Sequence, residues 1–187
     1  MDFFLFHCWG GDGKSCWSGW LQGELQVSGL ASRVLSPDFP ETDNPKLADW
    51  LATTRKLVPR FEPKDEWVLV SHSLGSPTIL RLLESFQGGE KVKAVILVAG
   101  FAQDLGIPQI RNFVEKKFDW KKIRESADRF IVISSDNDPF IPLSEGARMA
   151  KLLGTKCEFI VEHGAGHINE GAGFTEYPRL LDLIRKL

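Results

Sequence analysis

Four continuous apolar runs of strand length constrain the fold of this chain more than any other feature. None of them alternates polar and apolar residues, which is typical of strands covered on both faces, as in a parallel sheet. Weaker runs at 33–36 and 157–161 bring the predicted strands to six. The four strong runs are Phe3–Phe6, "WVLVS" at 67–71, "VKAVILVA" at 92–99 and "RFIVISS" at 129–135.

Segments with helical spacing of apolar residues lie between these runs. They are 16–30, 46–58, 74–89, 142–154 and 175–187. Alternation of strands and helices predicts an α/β fold, a three-layer α/β/α sandwich around a mostly parallel central sheet of about six strands. The 187 residues fit one domain, 1–187, and the amphipathic segment 100–127 is a candidate cap over a site.

Charge and cysteine content exclude several classes of partner. The formal net charge of −2 gives no electrostatic basis for binding nucleic acid or an anionic membrane, and no apolar run is long enough to cross a bilayer. The N-terminus lacks the basic region of a signal peptide, and the three cysteines form no paired framework. We therefore expect a cytoplasmic protein without a nucleic-acid or membrane partner.

The glycine-rich loop after the first strand permits a nucleotide-binding interpretation. "GKS" at 13–15 matches the end of the phosphate-binding motif Gly-x-x-x-x-Gly-Lys-Ser/Thr, and Asp136 follows an apolar strand where a magnesium ligand could lie. The first glycine of that motif, however, falls on Cys8. A side chain there interferes with the backbone wrap around phosphates, so the match is incomplete.

A second motif predicts different chemistry. In "WVLVSHSLGSPTILRLL", a strand runs through Ser71-His72-Ser73-Leu74-Gly75 directly into a helix, the context of the nucleophile elbow G-x-S-x-G. Ser71 replaces the first glycine but is also small. The alternative is that Ser73 only caps the helix.

The elbow requires an acid and then a histidine, each after a later strand. Asp136 and Asp138 follow the strand at 129–135, and His163 and His167 follow the run at 157–161. Three features thus fall in the order that one mechanism needs.

Together these stretches resemble the α/β-hydrolase superfamily, and within it the small serine hydrolases related to retinoblastoma-binding protein nine and their compact bacterial relatives. The resemblance extends over residues 7–169 and is carried by "HCWGGDGKSCWSGWL", "DWL" at 49–51, "VSHSLGSPTILRLL", "SDNDPFIP" and "HGAGHIN".

The resemblance implies a role for each site residue. Ser73 is the expected nucleophile and His167 the base. Asp138 is preferred to Asp136 as the acid, because the family pattern Asp-x-x-x-Pro fits Asp138. The loop at 7–11 matches a His-Gly-x-Gly-Gly-like oxyanion loop. The N–H groups of Trp9 and Leu74 are the expected oxyanion donors.

The remaining expectations concern the pocket, cofactors and function. Candidate pocket residues, with core packing as the alternative, are Trp9, Trp17, Phe101 and Phe140. No cofactor is expected, and no metal, because the histidines and cysteines lack short ligand spacing. We expect hydrolysis of small carboxylic esters or amides through an acyl-enzyme. The alternatives are a non-catalytic protein-interaction module on a hydrolase scaffold and, third, a nucleotide binder.

Overall fold

The computed structural model describes residues 1–187 and contains six strands and six α-helices. The strands are β1 (Asp2–Phe6), β2 (Arg33–Leu35), β3 (Trp67–His72), β4 (Val92–Val98), β5 (Ala127–Ser135) and β6 (Cys157–Glu162). The helices are α1 (Ser18–Val27), α2 (Leu47–Leu57), α3 (Gly75–Glu84), α4 (Trp120–Glu125), α5 (Leu143–Leu153) and α6 (Pro178–Ile184). Every predicted strand and helix is present. The segment 100–127 adds only α4 and a short 3-10 turn at Arg111–Phe113.

The six strands form one sheet in the order β2-β1-β3-β4-β5-β6, and every neighbouring pair is parallel. Side chains that alternate along each strand enter two separate cores. Phe4 and Leu69 belong to the core shared with α2, α3, α4 and α5, whereas Phe3 and Val68 belong to the core shared with α1 and α6. The predicted three-layer sandwich is confirmed, and burial on both faces explains why the strands are apolar throughout.

The strand order changes direction at β1, which lies between β2 and β3. In open parallel sheets, ligands bind at the carboxyl ends of the strands on either side of such a reversal. Here β1 leads into the glycine-rich loop and β3 leads into Ser73. The topology therefore brings the two motifs found in the sequence to the same edge of the sheet.

None of the helices combines the length and the apolar character that a bilayer crossing requires.

Candidate active site

Ser73 occupies the sharp turn between β3 and α3. Its φ of +51° lies in the left-handed region, which non-glycine residues seldom adopt and which concentrates at functional sites. The turn is fixed by two backbone hydrogen bonds, from Ser73 N–H to Val98 O at 2.9 Å and from Ser76 N–H to Ser73 O at 2.9 Å. Hydrogen bonds to the neighbouring strand and helix hold Ser73 in this strained conformation. A residue that only caps a helix does not require a positive φ.

The residues two positions before and two positions after Ser73 are small, because the neighbouring strand and helix pass close to the turn. A Cβ atom on Gly75 would lie 2.3 Å from the carbonyl oxygen of Phe6, in the neighbouring strand. Ser71, in place of the motif's first glycine, is fully buried and its hydroxyl lies 2.8 Å from that of Ser76. A serine is therefore accommodated at the first position, whereas the second requires glycine.

Replacing Gly75 with alanine should destabilise the fold by about 3 kcal/mol, because the added carbon meets main chain that cannot move aside. For a chain of this length, that corresponds to a fall in Tm of roughly 6–12 °C in thermal unfolding. Gly23→Ala is the matched control, since Gly23 is exposed on α1 with open space around its Cβ position, and it should be neutral or slightly stabilising. Equal Tm values for the two variants would contradict the close approach at Gly75.

Asp138 and His167 form a buried pair at the ends of β5 and β6. Asp138 Oδ2 lies 2.7 Å from His167 Nδ1, and the side chains are 2% and 9% exposed. The second carboxylate oxygen accepts hydrogen bonds from the N–H groups of Phe140 at 2.8 Å and Ile141 at 3.0 Å. The carboxylate is thus held by three contacts and can orient only one nitrogen of the imidazole.

Asp136 forms a second aspartate–histidine pair, with His163, at 2.6 Å. This pair is exposed, the His163 side chain by 84%. The N–H of Gly164 and then the His163 ring hold the pKa of Asp136 below its usual value. Neither residue lines the cavity that contains Ser73.

Asn137, which sequence analysis did not single out, ties the two loops of the site together. Its side-chain oxygen accepts hydrogen bonds from Gly166 N–H at 2.7 Å and from the Ser135 hydroxyl at 2.7 Å. The Ser135 hydroxyl in turn accepts the N–H of Ala165 at 3.1 Å. These bonds fix the loop that carries His167 against the end of β5. No motif marks such a role in a single sequence.

A cavity of about 280 Å³ opens beside the elbow, and both Ser73 and His167 line it. Most of its lining is apolar. Three of the four predicted pocket residues line it, as do residues of the segment 100–127. These residues are Trp9, Phe101 and Phe140, with Leu105, Ile107 and Ile110.

Trp17 lies apart from this cavity, in the core. It is 1% exposed, belongs to the core shared with α1 and α6, and donates its indole N–H to Ile168 O at 3.1 Å. The ring meets His72 edge-on, with 5.9 Å between centroids. Trp17 immediately precedes α1, whose inner side packs onto the sheet, so its ring supports the elbow from within the core.

The Ser73 hydroxyl makes no hydrogen bond in this structure, although His167 lines the same cavity. Such contacts are often long or poorly aligned without substrate and tighten when it binds.

The glycine-rich loop uses its own backbone donors internally. Each N–H from residue 10 to residue 16 donates to an acceptor within the protein, for example Gly13 to Asp38 Oδ1 at 2.9 Å and Lys14 to Asp12 Oδ1 at 2.8 Å. A phosphate would therefore find no free set of N–H groups here. Close packing, and not phosphate binding, explains the glycine at position 13, since a Cβ atom there would lie 2.0 Å from Ser36 O.

Two N–H groups beside the cavity, one in this loop and one in the elbow, are not used in the way that those of residues 10 to 16 are. Those of Trp9 and Leu74 donate to no acceptor within the protein. Both residues line the cavity that contains Ser73.

His7 anchors the start of the loop in one tautomer. Its Nε2 accepts the N–H of Phe39 at 2.9 Å, so its Nδ1 carries the proton and donates to Cys8 O at 2.7 Å. Burial lowers the pKa of His7, which keeps the ring neutral.

The two cysteines of the loop lie close together, with their sulfur atoms within 4.8 Å. The neighbouring Cys8 thiol lowers the pKa of Cys16, and the neighbouring Cys16 together with burial raises the pKa of Cys8. Cys16 therefore loses its proton first.

The parallel sheet with a strained serine between strand and helix defines the class of α/β hydrolases. The family described as "Serine hydrolase" matches residues 3–186. The chain therefore belongs to the serine hydrolase family and is a hydrolase, as the resemblance indicated.

Individual relatives agree with this assignment. YdeN of Bacillus subtilis is 34% identical over 182 residues, which cover 97% of this chain and 93% of YdeN. The serine hydrolase RBBP9 of Rattus norvegicus is 25% identical over 91% of this chain and 86% of its own length. The crystal structure of the B. subtilis ydeN gene product superposes with a TM-score of 0.88, at 32% identity, over 99% of this chain and 97% of that chain.

The likeness in fold extends to more distant enzymes. The meta-cleavage product hydrolase of Pseudomonas fluorescens IP01 has a TM-score of 0.71 at 14% identity and covers all of this chain and 90% of its own.

Proposed function

We propose that this hydrolase cleaves small carboxylic esters or amides through an acyl-enzyme, with Ser73 as nucleophile, His167 as base and Asp138 as the orienting acid. The observation that carries the proposal is the buried Asp138–His167 pair at 2.7 Å, with its histidine on the same cavity as the strained Ser73. An exposed or unpaired histidine would give no reason to expect acyl transfer.

In the proposed first step, Ser73 Oγ attacks the carbonyl carbon while His167 Nε2 takes the hydroxyl proton. Asp138 accepts a hydrogen bond from His167 Nδ1–H and stabilises the imidazolium that forms. The proton then goes to the leaving alcohol or amine as its bond to the carbonyl carbon breaks. Water, activated by the same histidine, attacks the acyl-enzyme in the second step and releases the acid.

The oxyanion that forms in both steps needs donors that are not already used. We assign this role to the N–H groups of Trp9 and Leu74, which have no acceptor within the protein and belong to residues that line the cavity with Ser73. The glycine-rich loop then serves the oxyanion and not a nucleotide.

His167 lines two concave surfaces, which suggests where each half of the substrate binds. The apolar cavity of about 280 Å³ suits a short acyl chain, whereas the second, open groove of about 560 Å³ suits a polar leaving group. That groove is lined by Asn137, Gly164 and Gly166, among others. We therefore expect short-chain esters to be better substrates than long-chain ones.

Labelling with a fluorophosphonate probe, followed by mass-spectrometric mapping of the modified peptide, tests the proposal directly. A phosphonylated Ser73 is the expected result, because only an activated serine displaces the fluoride at a useful rate. Pre-incubation with a short-chain ester should slow the labelling. Modification at another residue, or none in a preparation that hydrolyses esters, would refute the assignment.

A protein-interaction module on a hydrolase scaffold has no need of a strained serine or of a buried acid–histidine pair. The presence of both features therefore favours a catalytic role over an interaction module. The cytoplasmic location and the role of 100–127 as a cap both stay predictions.

A further inference from the structure

Two cysteines and a histidine meet beside the elbow, although they are far apart in the sequence. The sulfur atoms of Cys8 and Cys16 and a ring nitrogen of His72 all lie within 4.8 Å of one another. Cys16 Sγ lies 3.7 Å from His72 Nδ1. None of the three takes part in the proposed acyl transfer.

The histidine of this cluster turns an unprotonated ring nitrogen toward Cys16 Sγ. His72 Nε2 lies 2.9 Å from the carbonyl oxygen of His167, which can only accept, so Nε2 carries the proton. Nδ1 is therefore unprotonated. Metal-ligating histidines are typically fixed in this way, with the second ring nitrogen donating to a carbonyl oxygen or a carboxylate.

We propose that Cys8 Sγ, Cys16 Sγ and His72 Nδ1 form a binding site for a Zn²⁺ ion. Two thiolates and a neutral imidazole are ligands that zinc prefers, with Zn–S bonds of about 2.3 Å and Zn–N bonds of about 2.1 Å. In a tetrahedral site, ligand atoms at those bond lengths lie roughly 3.5–3.8 Å apart. The observed 3.7 Å between Cys16 Sγ and His72 Nδ1 falls in that range.

The surroundings of the cluster favour a cation. The Glu170 carboxylate accepts the Cys16 N–H at 2.6 Å and so places a negative charge at the backbone of one proposed ligand. Cys16 itself has a φ of +58°, so its backbone is held in a strained conformation. The three ligands leave one tetrahedral position for solvent or an anion. Thiols must lose their protons on binding, so zinc binding should release protons to the buffer.

This site could not be found from spacing in the sequence. Cys16 and His72 are 56 residues apart and come from a loop and a strand end. Only the meeting of β1 and β3 in the sheet brings the glycine-rich loop over His72. The expectation of no metal rested on the lack of a short ligand motif, and the proposal replaces it.

Zinc binding can be tested without any measurement of turnover, so its outcome is separate from that of the proposed hydrolysis. The metal-free protein, kept reduced with a phosphine, is titrated with Co²⁺. One equivalent should produce thiolate-to-cobalt charge-transfer absorption and tetrahedral d–d bands. Zn²⁺ should then displace the cobalt, and competition with a chromophoric chelator should give one zinc per chain with Kd on the order of micromolar or tighter.

Serine variants at each cysteine identify the site. Cys8→Ser and Cys16→Ser should each weaken zinc binding by at least about 100-fold. Cys157→Ser is the matched control, because the third cysteine lies in β6, outside the cluster, and its replacement should leave the affinity unchanged. Thermal unfolding in the presence of a chelator checks that each variant is folded.

Three results would overturn the proposal. The first is equal zinc affinity in all three serine variants, and the second is cobalt binding without charge-transfer absorption. The third is a Cys8–Cys16 disulfide, located by peptide mapping, in zinc-loaded protein treated with a disulfide such as oxidised glutathione, which is reduced as the two thiols lose their hydrogens. That product would identify Cys8 and Cys16 as a dithiol–disulfide pair that the metal does not protect.

Discussion

Replacing Ser73 with alanine is expected to lower kcat on a short-chain ester by on the order of 10⁶-fold, the largest effect of any single substitution in this chain. Without the hydroxyl there is no acyl-enzyme, and only binding and the oxyanion donors remain to assist water. The fold should be unaffected, because the Ser73 side chain makes no hydrogen bond and its backbone contacts to Val98 and Ser76 do not involve the hydroxyl. Kinetics with p-nitrophenyl butyrate and thermal unfolding measure the two effects.

Ser76→Ala is the matched control for this substitution. Ser76 is also a buried serine, three residues away at the start of α3, and its hydroxyl contacts that of Ser71 but does not line the cavity. Its loss should cost about 1 kcal/mol in unfolding free energy and leave most of the turnover intact. Turnover that survives in Ser73→Ala, or that vanishes equally in both variants, would argue against Ser73 as the nucleophile.

The order of the secondary structure could be predicted from the sequence because it depends on local patterns. Strands buried on both faces must be apolar throughout, and the runs at 67–71 and 92–99 show this directly. Glycine at position 75 marks the close approach of β1 to α3. The proximity of the elbow serine and the acid–histidine pair could also be predicted from that order, since the carboxyl ends of parallel strands share one edge of the sheet.

The features of the site that could not be predicted from the sequence depend on how helices, strands and loops are oriented relative to one another. Trp17, the residue before α1, faces the core because of the side by which that helix packs on the sheet, which spacing alone does not specify. The bracing role of Asn137 arises only when β5 and β6 are paired. The cluster of Cys8, Cys16 and His72 likewise requires the loop to fold back over the end of β3. Each of these depends on a contact between residues distant in the chain.

Exchanging Asp138 for asparagine is expected to reduce kcat by roughly 10⁴-fold, with little change in stability. The reason lies in the two N–H groups, of Phe140 and Ile141, that bind one oxygen of the carboxylate. An asparagine would keep its carbonyl oxygen toward these donors and so present its NH₂ group to His167 Nδ1. That nitrogen would then have to accept, which leaves the proton on Nε2, where His167 cannot take one from Ser73.

Asp136→Asn provides a control of the same chemistry two residues away. Asp136 binds the exposed His163, outside the cavity, so its exchange should leave kcat within a few-fold of the parent enzyme. The comparison also decides between the two acids that follow the same strand in the sequence. Damage caused by Asp136→Asn alone would move the catalytic acid to position 136 and the base to His163. Equal damage from both substitutions would mean that the loop as a unit, braced through Asn137, orients His167, and that the Asp138 carboxylate has no special role.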